Sequence, residues 1–309
     1  MTLGALRGGG KRALAAALAG LERDSESSTS QTLLDAAWRE PTAHVVGVTG
    51  PPGVGKSSLC AAVVAAWRRT GKTVGVIAVD PSSKSSGGAL LGDRVRIVQD
   101  VSDEGCFVRS MAARDRLGGL ADQTLAAMVV MRALFDRVLV ETVGVGQSET
   151  DVAGVADTVL FCVQPGSGDS LQFMKAGIVE IPHLVVVTKA DLGAAAERAR
   201  ADVAGALSLA AVLDDWPVRT LAVSSRSGRG LEDLVTALEA HRAHLAAEGR
   251  LAVTRHRQSE GWIVQSLGDR FGREGIARLG RLGFDLTLPA GGQPFQRLRE
   301  LADALGDKR

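Results

Sequence analysis

The sequence predicts an α/β fold: a doubly wound, mainly parallel sheet with helical N- and C-terminal extensions. Three observations carry that reading. From residue 44 to about 247, short apolar strand candidates alternate with helical stretches, the order that builds parallel βαβ units. Most of those strand candidates are β-branched and apolar throughout instead of alternating, as expected of strands covered on both faces. And Gly50-Pro51-Pro52-Gly53-Val54-Gly55-Lys56-Ser57 matches G-x-x-x-x-G-K-[ST] in full, between the strand candidate 44–49 and a helical run from Ser58 to Arg69. Strand, glycine loop and helix in that order specify a sheet of the P-loop NTPase type.

The elements follow in order. Residues 1–40 read as an N-terminal helical extension, with Asp24 to Ser30 as a loose polar loop. Its run Ala13 to Leu21, behind Arg7, Lys11 and Arg12, has the outline of a signal peptide. The run is short, Ala-rich and followed at once by Glu22, Arg23 and Asp24, which fits an amphipathic surface helix instead. Residues 41–249 read as the P-loop domain. Its strand candidates are 44–49, 73–79, 106–109, 137–141, 158–163, 184–187 and 218–223, with helices at 58–69, 118–135, 171–179, 194–213 and 231–247 between them. Residues 250–309 read as a C-terminal helical arm: Arg-rich helix to about 281, then Phe284 to Pro289, then a last helix near 293–306. No internal repeat is present.

Composition narrows the class. The 309 residues are 45% hydrophobic and 23% charged, ordinary for a globular chain. Thirty-six basic residues against thirty-five acidic ones give a net charge of +1, so neither nucleic acid nor a membrane surface is indicated as a partner. No apolar run is long enough to span a bilayer. Cys60, Cys106 and Cys162 are widely spaced, without C-x-x-C, and read as small core residues. A cytoplasmic location is expected.

The chemistry is read from the residues that follow each strand. Glycines 50, 53 and 55 let the backbone curl so that N–H groups point at a polyphosphate, helped by the positive end of the next helix, which Ser58 opens. Lys56 is expected against the β- and γ-phosphates, and the Ser57 hydroxyl on Mg²⁺. After 73–79 come Asp80 and, further on, Asp93; each reads equally as a Mg²⁺ or water ligand and as a turn or cap aspartate. After 137–141 comes Glu141-Thr142-Val143-Gly144, an acid for Mg²⁺ and a glycine whose N–H could meet the γ-phosphate. After 184–187 comes Thr188-Lys189-Ala190-Asp191, close to the N-K-x-D element that reads guanine, with the Asp191 carboxylate accepting from base N1 and N2 and the Lys189 stem along the ring. After 218–223, Ser224-Ser225-Arg226 stands where a backbone N–H could meet guanine O6. Thr188 departs from the usual Asn. Val145 stands where Ras-like GTPases keep the Gln that orients the attacking water, and Gln147 lies two residues on, so slow unaided hydrolysis is expected.

These segments together resemble the MeaB/ArgK family of SIMIBI-class GTPases, bacterial relatives of the methylmalonic aciduria type A protein. The stretches that carry it are the P-loop, Val79 to Ser83, Ser86 to Arg94, Arg109 to Ala112, Leu117 to Ala121, Glu141-Thr142-Val143-Gly144-Val145-Gly146-Gln147-Ser148-Glu149, Pro165 to Asp169, and Thr188 to Asp191. The resemblance implies a GTPase, with GTP and GDP as substrate and product and Mg²⁺ as cofactor. It implies a chaperone role at an adenosylcobalamin-dependent acyl-CoA mutase such as methylmalonyl-CoA mutase, with a cobalamin adenosyltransferase as a further partner and no cobalamin held by this chain. It makes Asp80, Asp93 and Glu141 the magnesium and switch acids. It makes Asp169, Gln172 and Lys175 part of a mobile loop that signals to the mutase, where local sequence alone reads an ordinary helix start. It implies a homodimer made through the C-terminal arm, although the tail after 265 matches less closely.

Two other readings use the same fold. A nickel-inserting GTPase would need imidazole or thiolate ligands near the switches or in a leader; residues 1–40 hold neither His nor Cys, and His241 and His244 read as a solvated pair on one helix face. A kinase acting on an amino-acid transport protein would need ATP, against which Asp191 argues.

Overall fold

The computed structural model describes residues 2–80, 102–112, 122–142, 151–166, 181–208 and 215–306. Seven strands form one sheet: β1 (His44–Thr49), β2 (Val74–Asp80), β3 (Cys106–Ala112), β4 (Arg137–Glu141), β5 (Thr158–Val163), β6 (Leu184–Val187) and β7 (Arg219–Ala222). They lie in the order β3-β2-β4-β1-β5-β6-β7, and every pairing is parallel. β1, β4, β5 and β6 are buried at every residue, which is why their sequences show no alternation. From β1 the chain crosses to β2 and β3 on one side, returns to β4 next to β1, and then runs through β5, β6 and β7 on the other, so the loops after β1 and β4 open where the winding changes direction.

The helices are α1 (Leu3–Arg23), α2 (Ser28–Arg39), α3 (Lys56–Arg69), α4 (Asp122–Arg132), α5 (Ala194–Leu207), α6 (Leu231–Ala246), α7 (Arg250–Arg281) and α8 (Pro294–Ala304). Successive strand residues point to opposite faces, and the core divides accordingly. Val45, Ile77, Val138, Val140 and Val159 pack under α1, α2 and α4. Phe161, Val163, Val185 and Val187 extend that face under α5. Val46, Val48, Val76, Leu139, Leu160 and Val186 pack under α3 and α6 on the other face. The arm has a small core of its own, Ile263, Leu267, Leu279, Leu288 and Leu301. Cys60, Cys106 and Cys162 are all buried and unbridged, and burial pushes the Cys162 thiol up to about 12.

Two expectations need correction. The stretch 24–30 is not a loose loop. Asp24 Oδ1 accepts from the Glu26 and Ser27 amides, Ser27 Oγ accepts from Ser30 N at 3.3 Å as the cap of α2, and the helix begins at Ser28. Nor are His241 and His244 a solvated pair. His241 is 1% exposed, 4.3 Å ring to ring from His183 and 4.6 Å from Trp216, with Nδ1 2.6 Å from Thr158 Oγ1. That hydroxyl also meets His44 Nε2 at 2.8 Å. The cluster sits under the amino ends of β1, β5 and β6. Burial holds His44 down to about 4 and His241 down to about 2, the latter aided by the neighbouring His183. α1 does present an apolar stripe, but Leu14, Ala17, Leu18 and Leu21 are buried against the domain. Among the described residues, no helix is long and apolar enough to cross a membrane.

The arm is bolted to the sheet by an ion pair on a fully buried carboxylate. Asp157, with a side chain 0% exposed, accepts from Arg255 Nε at 2.8 Å, from Arg255 Nη2 at 2.7 Å and from the Val45 amide at 2.8 Å. Arg255 Nη2 also donates to Ala43 O at 2.9 Å. Burial pushes the Asp157 carboxyl up, and the Arg255 guanidinium more than reverses this, leaving it below the usual carboxylate range.

Arg255→Met should therefore cost about 3–5 kcal/mol in urea unfolding, because it strands a buried carboxylate; a loss below ~1 kcal/mol would show the pair to be idle. A second expectation concerns acid. Below pH 6.5 the unfolded chain binds protons that the folded His44 and His241 refuse, so their contribution to stability is full above pH 6.5 and is lost as pH falls toward 4. The melting temperature should drop between pH 7 and 5, and the drop should shrink in a His44→Gln/His241→Gln double variant; an identical pH profile in that variant would refute it.

Candidate functional site

The loop after β1 is shaped by close approach. Gly50 takes φ 131°, and a Cβ there would lie 2.2 Å from the Cys162 carbonyl oxygen of β5, so no other residue fits. Gly53 and Gly55 also take positive φ, 75° and 101°, and Gly55 is the N-cap of α3. Pro51, Pro52 and Gly53 form the outer rim, while Val54 is buried and pins the inner wall. The result is a curl of backbone amides over a helix N-terminus, the geometry that binds phosphate groups. Lys56 is 7% exposed, and its Nζ donates to the carbonyls of Gly50 at 2.7 Å and Pro51 at 3.1 Å. Its ammonium is held across the mouth of its own loop. Ser58 sits in the first turn of α3 and is exposed.

Two strand ends converge on this loop. Ser57 Oγ donates to Glu141 Oε1 at 2.6 Å, joining the first turn of α3 to the end of β4. Next to it, Thr142 Oγ1 donates to Thr49 Oγ1 at 2.9 Å, and Thr142 N donates to Val48 O at 3.0 Å. A buried carboxylate and a hydroxyl brought together beside a phosphate loop are hard oxygen donors, the chemistry that suits Mg²⁺. Asp80 closes β2 beside β4, with Ala78 in register with Glu141; its side chain is not among those described. Asp93, Gly144, Val145, Gln147, Asp169, Gln172 and Lys175, together with the expected helix 171–179, lie outside the described residues.

The base-side residues meet the same loop from β6 and β7. Thr188, 3% exposed, donates from Oγ1 to Val54 O at 2.6 Å, and the same oxygen lies 3.0 Å from Val163 O. The departure from Asn thus keeps a hydroxyl that ties the T-K-x-D turn to the phosphate loop. Lys189 adopts φ 56°, uncommon for a side chain with a Cβ, and its Nζ reaches Gly53 O at 3.3 Å and Gln164 Oε1. Its stem is laid along the cleft between the two loops. Asp191 Oδ1 accepts from Ser224 Oγ at 2.6 Å, and that hydrogen bond, foremost among several, holds the exposed Asp191 carboxyl below its usual range. Ser224 is therefore an orienting residue: its hydroxyl is on Asp191 and its amide donates to Arg229 O at 2.9 Å. Ser225 and Arg226 lie at the rim of the same turn, half-buried and exposed respectively.

Reading the sequence alone missed two members of this group. Gln164, the first residue past β5, holds Lys189; its position at the carboxyl end of a strand beside β1 was the available signal. Thr142 and its bond to Thr49 were hidden because a threonine in a strand end reads as ordinary β sequence.

A family model described as "Methylmalonyl Co-A mutase-associated GTPase MeaB" matches residues 13–277. A putative GTPase of Pyrococcus horikoshii is 40% identical over 264 residues, covering 82% of this chain and 81% of that protein. The mitochondrial methylmalonic aciduria type A homolog of Mus musculus is 36% identical over 228 residues, covering 72% of this chain and 55% of that one. A crystal structure described as LAO/AO transport system kinase superposes with a TM-score of 0.68 at 28% identity, covering 98% of this chain and 96% of that chain.

Isothermal titration should find GDP and GTP bound at least ~100-fold more tightly than ATP, since a site built to accept hydrogen bonds from a base discriminates by a few kcal/mol. Asp191→Asn should blunt that preference. Equal affinity for ATP and GTP in the wild type would remove the guanine assignment.

Proposed function

This chain belongs to the MeaB family of GTPases, and on that premise we propose that its GTP hydrolysis gates the loading and protection of adenosylcobalamin in a cobalamin-dependent acyl-CoA mutase. One observation carries the nucleotide half of the proposal: the Thr188 hydroxyl fastens the T-K-x-D turn to Val54 of the phosphate loop, so base and phosphates are read by one joined surface. The mutase half is supported by the family's description, which names that enzyme as the associate.

In this reading, the backbone N–H groups of residues 53–57 cradle the β-phosphate. Lys56 exchanges its two carbonyl partners for β- and γ-phosphate oxygens, a charge-assisted contact that strengthens as charge shifts during transfer. Ser57, Glu141, Asp80 and Asp93 would hold Mg²⁺. The ion, when bound, neutralises phosphate charge. Glu141 accepts from Ser57 and so takes that hydroxyl's proton side, which would leave its oxygen lone pairs for the ion. Gly144 would offer its amide to the γ-phosphate. Asp191, fixed by Ser224, accepts from guanine N1 and N2, the Lys189 stem covers the ring, and Ser225 or Arg226 supplies an amide to O6.

Val145 cannot orient water, so turnover of the chain alone should be slow, on the order of one per minute or less. The mutase would supply the missing order through Asp169, Gln172 and Lys175. Dimerisation through the arm is supported by Val253, Val264, Leu282 and Phe284, large apolar side chains left exposed on residues 250–284.

The test is a GTPase assay with and without purified cobalamin-dependent acyl-CoA mutases. A cognate mutase should raise the rate at least ~10-fold, which requires about 1.4 kcal/mol of transition-state stabilisation. Alanine at Asp169, Gln172 and Lys175 should abolish the stimulation and leave the basal rate. If no such mutase stimulates the wild type, the gating role is wrong; if the alanine variants lose basal turnover as well, that loop belongs to the catalytic site.

A further inference from the structure

On the face of the sheet away from α3, a small cleft lies where α2, α4 and the arm meet. Trp38 of α2, Arg132 at the end of α4, and Arg255 and Trp262 of α7 line it. Its free volume of about 10 Å³ is room for one water-sized group.

Arg132 is the anomaly here. It is 3% exposed, and its Nε is buried without a hydrogen-bond partner. Its guanidinium carbon lies 4.6 Å from the centre of the Trp38 ring. Among the described residues, its guanidinium makes no ion pair. The carboxylate that acts on it, Asp157, is already gripped by Nε and Nη2 of Arg255 and by the Val45 amide. A cation–π contact offsets a fraction of the cost of burying a guanidinium, whereas buried charges are normally matched by an opposite charge. Counting Arg132, Arg255 and Asp157 together, the cleft keeps one uncompensated positive charge.

The other polar groups cannot compete for that role. Gln258 Nε2 donates to the carbonyls of Ala153 and Ala156, both at 2.8 Å, and Ser259 Oγ donates to Arg255 O at 2.7 Å. What the cleft offers a ligand is the Arg132 guanidinium, beside that of the Asp157-bound Arg255, among indole and aliphatic walls. Such a site favours an anion that is small, singly charged and easily dehydrated, and it excludes phosphate esters by size and sulfate by its hydration.

We propose that this cleft is an anion site, taking a single halide ion onto Arg132. Its occupant would bridge the end of α4 to α2 and the arm, next to the 3₁₀ turn Val152–Gly154 that leads into β5. The site is separate from the nucleotide loops, and anion binding would stabilise the docked arm.

The test uses the full chain at fixed ionic strength, with gluconate replaced stepwise by chloride or bromide. The melting temperature should rise saturably by ~2–4 °C, as expected for a ligand that binds the folded state alone. Arg132→Met should abolish the rise. In the wild type, bromide should also quench tryptophan fluorescence with a saturable component that chloride displaces, a readout independent of the variant. A wild type indifferent to the anion, an equal rise in Arg132→Met, or an equal effect of sulfate would each overturn the proposal.

Discussion

The buried carboxylate of Asp157 is the constraint on which the arrangement rests. It lies just before β5, beneath the strand that carries the phosphate loop, and it holds the Val45 amide and the Arg255 guanidinium at once. Removing a carboxylate from water is costly unless each lone pair is met, so its three contacts specify the start of β1, the start of β5 and the placement of α7 together. A hydrophobic residue there could fill the space. It could not set three elements in one register.

At the opposite end of the same strands, the site is assembled from hydrogen bonds between loops. Thr188 joins the turn after β6 to the loop after β1, Ser57 joins α3 to β4, and Ser224 joins the turn after β7 to Asp191. Each uses a small hydroxyl near a strand end, where backbone carbonyls and carboxylates no longer have ladder partners. Rigid parallel strands below and short polar ties above let loops carry precise geometry without long side chains to freeze. Lys189 is the exception. Its left-handed backbone is held in place by contacts to Gly53 and Gln164.

Much of this was legible from residues alone, for identifiable reasons. β1, β4, β5 and β6 have the bounds read from sequence, because a strand buried on both faces carries an uninterrupted apolar interior. The glycines at 50, 53 and 55 announce positive φ, and all three have it. What stayed hidden depends on partners far apart in sequence. Nothing near His241 says that Trp216 and His183 will close over it. Asp157 and Arg255 stand 98 residues apart, and Ser224 reveals its orienting role only when β7 is laid beside β6. Local pattern encodes which face is buried; it does not encode which polar groups meet there.

The Asp157–Arg255 contact also bears on how the chain is made. During synthesis, β1 through β5 emerge well before α7, so the carboxylate beneath the sheet waits for a guanidinium still inside the ribosome. Until then, closing the underside of β1 and β5 would trap an unmatched charge, and the nascent domain gains by leaving that end wet and open. The arm is thus the last fastening of a vectorial assembly: the sheet can take its order early, but the dry interior behind the phosphate loop becomes favourable only when residue 255 has arrived.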